Sequence, residues 1–134
     1  MRKLFLVTFI ICTMLTAASA SAQDNSSSSS TADIPSQGRA PKEPNGIGRL
    51  DLRVVDEQGN PVKGVRADLE SRRTDGFLCE SWNWTDERGV AVLPPLHMGR
   101  LTLKLKAPGY ETQRVVVNAS SLNEPLRITM VRKK

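Results

Sequence analysis

Trp82 and Trp84 stand two residues apart, a spacing that puts both indoles on one side of an extended strand. Paired indole faces of this kind can stack on sugar rings. Alternation places Glu80 on the same side and Cys79, Ser81 and Asn83 opposite. Packing with Leu78 is the competing role, and large aromatics usually lie inside, so at least one tryptophan is expected in the core. Lys104, Lys106 and Arg114 form a second candidate surface, a set of outward cations able to meet an anionic partner. These five residues are the candidate ligand-binding positions.

Catalysis finds less support. General acid–base or nucleophilic chemistry needs convergent groups filling several roles. The only histidine, His97, lies in the turn-like run Pro94-Pro95-Leu96-His97-Met98-Gly99, and no nucleophile is paired with it by any recognisable pattern. No catalytic residue is assigned, and the chain reads as a non-enzyme. His97 and Met98 do not complete a copper shell. Asp56-Glu57 and Asp86-Glu87 each run toward a glycine without the alternating oxygens of a calcium loop, so both read as hairpin turns. No metal and no cofactor is expected. Lys104 and Lys106 alternate with Leu103 and Leu105, which points them away from the buried environment that an isopeptide crosslink requires.

The elements that must position these residues begin after an export signal. Arg2 and Lys3 precede an apolar run over residues 4–17, and Ala18-Ser19-Ala20-Ser21-Ala22 supplies a small-residue exit. This layout reads as a signal peptide over residues 1–22, cleaved after Ala22 and leaving no transmembrane segment. Export would remove Cys12, leave Cys79 as the only cysteine and exclude an internal disulfide. Loss of Arg2 and Lys3 lowers the formal charge from +5 to +3, too mild an excess to imply specific nucleic-acid binding. Residues 23–47 hold the serine run 26–30 and scattered prolines and glycines, with Ile34 and Ile47 as their sizeable aliphatics. They read as a disordered linker.

Residues 48–134 read as one all-β domain. Leu50, Leu52 and Val54 alternate inward on a first strand, and Val65, Ala67 and Leu69 on a second. A third strand runs near residues 77–84, and Val90 and Val92 belong to a short fourth. Leu101, Leu103 and Leu105 mark the fifth, Val115 and Val117 the sixth, and Leu126, Ile128 and Met130 the seventh. Residues 119–123 have room for one short helical turn.

The ordered turn segments carry a resemblance. Residues 54–65 (VVDEQGNPVKGV), Thr85-Asp86-Glu87-Arg88-Gly89, Gly99-Arg100-Leu101-Thr102-Leu103 and Ala107-Pro108-Gly109-Tyr110-Glu111 resemble the carboxypeptidase regulatory-like domains. That resemblance implies a seven-stranded Greek-key β-sandwich similar to transthyretin and to carbohydrate-binding-like folds. Gly59, Pro61, Gly89, Gly99, Pro108, Gly109 and Tyr110 would be its structural positions. It also implies a non-catalytic interaction or accessory module, facing protein or polysaccharide at the cell surface or in the periplasm. A carbohydrate-binding module using Trp82 and Trp84 is the alternative, and a small secreted enzyme the second. Leu101 departs from the family pattern, which commonly has an aromatic there.

Overall fold

The computed structural model describes residues 34–134. The leader and the serine run lie outside the described residues. The described residues form nine strands: β1 (Ile47–Gly48), β2 (Asp51–Val55), β3 (Arg66–Arg72), β4 (Leu78–Trp84), β5 (Val90–Val92), β6 (Leu96–His97), β7 (Arg100–Lys106), β8 (Gln113–Val117) and β9 (Leu126–Thr129). One 3-10 turn occupies Ala119–Ser121, inside the stretch expected to allow one.

Seven of the nine strands build two sheets, one ordered β5-β2-β9 and the other β4-β3-β7-β8. They coincide with the seven positions read from alternation. The two strands beyond that expectation, β1 and β6, pair only with each other over two residues each, too few to show a period. Within the larger sheet every pairing is antiparallel, whereas β2 and β9 run parallel. The chain passes between sheets after β2, β4, β5 and β8, so sequence neighbours seldom stay together except in the β3–β4 and β7–β8 hairpins.

The core lies between the sheets. Leu52 and Val54 from one sheet and Leu69, Leu101, Leu103 and Leu105 from the other form one buried cluster with Leu122 and Met130. On β5 the inward residue is Ala91, registered with inward Leu52, and Leu93 just past the strand end also enters the core. Val90 and Val92 therefore share the outer face with Arg53 and Asp51.

Two turns of the same design set the strand ends. Asp56 Oδ1 accepts the N–H groups of Gln58 and Asn60, and Asp86 Oδ1 accepts those of Arg88 and Val90. Each carboxylate is thus used on its own turn, as aspartate commonly is. Gly89 closes the second turn with φ +71°, and a Cβ there would lie 2.3 Å from the Val54 carbonyl oxygen. Gly99 has a tight seat too: a Cβ would run into the Arg72 carbonyl oxygen. Pro108 and Gly109 form the turn after β7, closed by Tyr110 N–H to the Ala107 carbonyl at 3.2 Å. The Tyr110 ring packs at the core margin with the Arg132 guanidinium 5.3 Å from its centroid.

The linker expectation fails over residues 34–47, which lie along the domain. Arg39 and Arg49 exchange both backbone bonds at 2.8 Å, and the Gln37 N–H reaches Asp51 Oδ2 at 2.9 Å. These bonds fasten the segment across the outer side of β2, where Asp51 and Arg53 are 0% and 1% exposed. Arg53 grips Asp51 through Nε and Nη2, both at 2.8 Å, and also donates to the carbonyls of Ile34 and Pro35. Burial pushes the Asp51 carboxyl up. The bonds from Arg53 and Gln37, with the charges of Arg53 and Arg49, more than offset it and hold the group below the ordinary aspartate range.

Candidate functional site

The outer face of the four-stranded sheet collects the residues that sequence reasoning had placed in two separate surfaces. Strand register brings them into rows. Trp84 pairs with Arg66, which pairs with Lys106. In the next row Trp82 pairs with Asp68, Asp68 with Lys104, and Lys104 with Arg114. The row beyond runs Glu80, Glu70, Thr102 and Val116. Adjacent strands lie about 4.8 Å apart, so the four-residue row stretches roughly 14 Å from indole to guanidinium.

Neither tryptophan enters the core, contrary to the expectation for at least one. Trp82 is 52% exposed and Trp84 49%. The reason lies on the other side of β4. Ser81 Oγ donates to the Pro94 carbonyl and Asn83 Nδ2 to the Val92 carbonyl, both at 2.9 Å. The inward positions of this strand are small and polar because they stitch the sheet edge to the end of β5 and the residues just after it. Cys79, on the same side, is half-buried against the core and is a free thiol. The large apolar rings are left facing out, with Leu78 beside them at 41% exposure.

Arg66 organises the indoles and was missed in the sequence. Its guanidinium sits 4.6 Å from the Trp82 ring centroid and 5.6 Å from that of Trp84, while Nε donates to Asp68 Oδ1 at 2.9 Å. A cation held over an aromatic face is attracted by the ring quadrupole, and this one contacts both rings. The signal for it was legible only once β3 was paired with β4 in register.

Charge is segregated along the face. Arg66, Lys104, Lys106 and Arg114 occupy the two rows that contain the tryptophans, and Asp68 is the acid among them. Lys106 within hydrogen-bonding range, its charge, partial burial and the charge of Arg114 all hold the Lys104 ammonium below its ordinary range; Asp68 only partly opposes them. Three cations thus crowd one patch, which favours an anion. Glu70 and Glu80 face each other across β3 and β4 in the adjoining row, forming a like-charge border. Between these rows lies a depression of about 460 Å³ lined by Arg66, Asp68, Glu70, Trp82, Lys104 and Arg114.

The remaining candidates for chemistry are spread out. His97 is exposed on β6 with Nδ1 2.9 Å from the Asn45 carbonyl oxygen. Ser71 Oγ, on β3, donates to the His97 carbonyl and accepts the Gly99 N–H, a structural use of the hydroxyl. Among the described residues no group of three or more His, Cys, Asp or Glu is arranged to hold a metal. No helix among them is long and apolar enough to cross a membrane.

No family model matches the chain, and no curated protein matches it. Among solved structures it is similar to 3-chlorocatechol 1,2-dioxygenase from Rhodococcus opacus 1CP, with a TM-score of 0.52 and 14% identity. The alignment covers 75% of this chain and 66% of that chain, just under two thirds of the dioxygenase's length. At that identity the likeness is one of fold.

Proposed function

We propose that this protein is an exported, non-catalytic binding module of the carboxypeptidase regulatory-like type, and that it holds an acidic polysaccharide on the outer face of its four-stranded sheet. The observation that carries this reading is the convergence of two half-exposed indoles and three crowded cations on one face, in adjoining rows. Indole faces stack on the apolar faces of sugar rings. Lys104 and Arg114 then stand two and three strands away, where a carboxylate or sulfate further along the chain would meet them. The Glu70–Glu80 border repels the same ligand and so fixes which rows it crosses. The roughly 14 Å row suits an oligosaccharide stretch rather than a single ring.

Retention of the exported chain on immobilised acidic and neutral polysaccharides, at low and high salt, tests this. Retention on the acidic polymer is expected, weakened but not abolished by salt, since charge is screened while stacking is not. Trp82→Ala and Lys104→Glu should each weaken it at least tenfold. Equal retention of wild type and both variants would remove this face from consideration. Hydrolytic turnover of any of these polymers, abolished by His97→Ala, would overturn the non-catalytic reading.

A further inference from the structure

A second and larger recess, of about 660 Å³, lies at the other end of the sheet. One wall is the segment 41–45, read from sequence as linker. It is shaped by Asn45 at φ 60° and by a turn closed from Gly46 N–H to the Glu43 carbonyl. Asparagine is among the few non-glycine residues that adopt this left-handed conformation readily. The Asn45 amide then holds Thr74 from both sides, donating to its Oγ1 at 2.6 Å and accepting its N–H at 3.1 Å. Asn45 N–H also bonds the Met98 carbonyl, and Met98 N–H the Gly46 carbonyl. The wall is therefore fixed in place without a ligand.

The lining is of two kinds. Pro41, Pro44, Ala119 and the buried Met98 give apolar surface. Arg72 and Arg100 stand directly opposite each other on β3 and β7, and neither forms an ion pair among the described residues. Like charges so placed oppose strand pairing. Arg73 pairs through Nη2 with Asp75 at 3.2 Å, yet its Nε is buried without any hydrogen-bond partner. A buried donor left unpaired in this way calls for a partner. Lys42 adds a fourth cation, against Glu43 as the acid in the lining.

Apolar walls with a few convergent polar groups, in a recess of this volume, are what small-molecule sites have in common. Paired guanidinium forks match the planar geometry of an oxyanion. We infer that this recess binds an amphiphilic oxyanion, its apolar body against Pro41, Pro44 and Met98 and its head group between Arg72 and Arg100. The site is independent of the sugar-facing rows. Lys104 and Arg100, like Asp68 and Arg72, are four residues apart on one strand, roughly 13 Å at the rise of an extended chain.

Titrations of the full exported protein with octanoate, octyl sulfate, 1-octanol and inorganic phosphate, followed by backbone amide NMR, test the inference. Octanoate or octyl sulfate should shift the amides of Thr74, Met98, Gly99 and Ala119 saturably, at least tenfold more tightly than octanol or phosphate. The tighter of the two identifies the head group. The double change Arg72→Ala, Arg100→Ala removes exposed side chains and should weaken that binding at least tenfold with an unchanged amide spectrum elsewhere. Lys104→Glu should leave it unaltered. Octanol binding as tightly as octanoate and octyl sulfate, no saturable shifts with either anion, or unchanged affinity in the double variant would each overturn it.

Discussion

On the outer side of the three-stranded sheet, charged residues are buried beneath a strap of chain. On the outer side of the four-stranded sheet, large aromatic residues stand in the open. Asp51 and Arg53 alternate with Leu50, Leu52 and Val54 in the way solvated polar residues do, yet residues 34–37 cover them and supply their last hydrogen bonds. Trp82 and Trp84 have the size and apolarity of core residues, yet among the described residues no segment of chain lies over them and both stay half-exposed. Polarity alone does not assign a face of a small sandwich; the neighbouring segments decide it. A covered charge pair is a stability device, and an uncovered aromatic row flanked by cations is a surface available to a ligand.

Asp51→Ala should have the largest effect. It strands the Arg53 guanidinium in a buried site, and losing one partner of such a pair costs about 3–5 kcal/mol, a fall in Tm of roughly 12 °C or more for a domain this size. Thermal unfolding followed by circular dichroism measures it. A fall under about 1 kcal/mol would mean that the strap does not seal the pair from water.

Acid should act through the same carboxylate. The folded-state pKa of Asp51 is depressed, and so is that of Asp86, where bonds from Arg88 and from the Val90 and Arg88 N–H groups outweigh burial. A depressed carboxylate contributes stability that is fully present above the unfolded value and is lost as pH falls through the folded one. Stability should therefore be flat above about pH 5 and decline below about pH 4. Urea midpoints across this window should show a shallower decline in Asp51→Asn than in wild type, with the remainder owed to Asp86 and to Asp56, whose carboxyl the Asn60 and Gln58 N–H groups also hold below its ordinary range.

A chain beginning at Gly38 comes next in size. It keeps the ion pair but loses the Gln37 N–H and the Ile34 and Pro35 carbonyls, an expected loss of about 1–3 kcal/mol. The same truncation should leave ligand binding on the opposite face within twofold. A change in that binding larger than the loss of folded protein explains would break the separation of the two faces.

Trp82→Ala and Trp84→Ala should matter least to folding, within about 1 kcal/mol each, because half-exposed rings lose little buried area and mainly the contact with Arg66. A loss of 3 kcal/mol or more in urea unfolding would return the indoles to a structural role.

The parts of the fold legible in the sequence are those set by local chemistry. Leu101, Leu103 and Leu105 alternate cleanly because one side of β7 meets the core and the other does not. Asp56 and Asp86 mark turns because their carboxylates bond their own backbone. What escaped reading depends on contacts between distant segments. The covering of Arg53 comes from residues 18 and 19 positions earlier. The outward turn of the tryptophans follows from Ser81 and Asn83 bonding carbonyls at and just after the end of β5. Arg66 enters the candidate site only through its register with Trp84, and the β1–β6 pair is too short to leave a period. Alternation points Lys104, Lys106 and Arg114 outward, whereas the size of the two indoles suggests a core place that neither takes. The fact that all five share one face belongs to sheet order, which a single sequence does not display.

On this reading the indoles and the cations work as one surface. A double-mutant cycle on binding to one acidic oligosaccharide, with Trp82→Ala, Lys104→Glu and the pair, measures it by calorimetry. Sites that hold the same ligand along one row should be coupled, so the double change should cost less than the sum of the single changes while each single change costs at least tenfold. Additive losses, or a loss confined to one of the two residues, would contradict a shared surface.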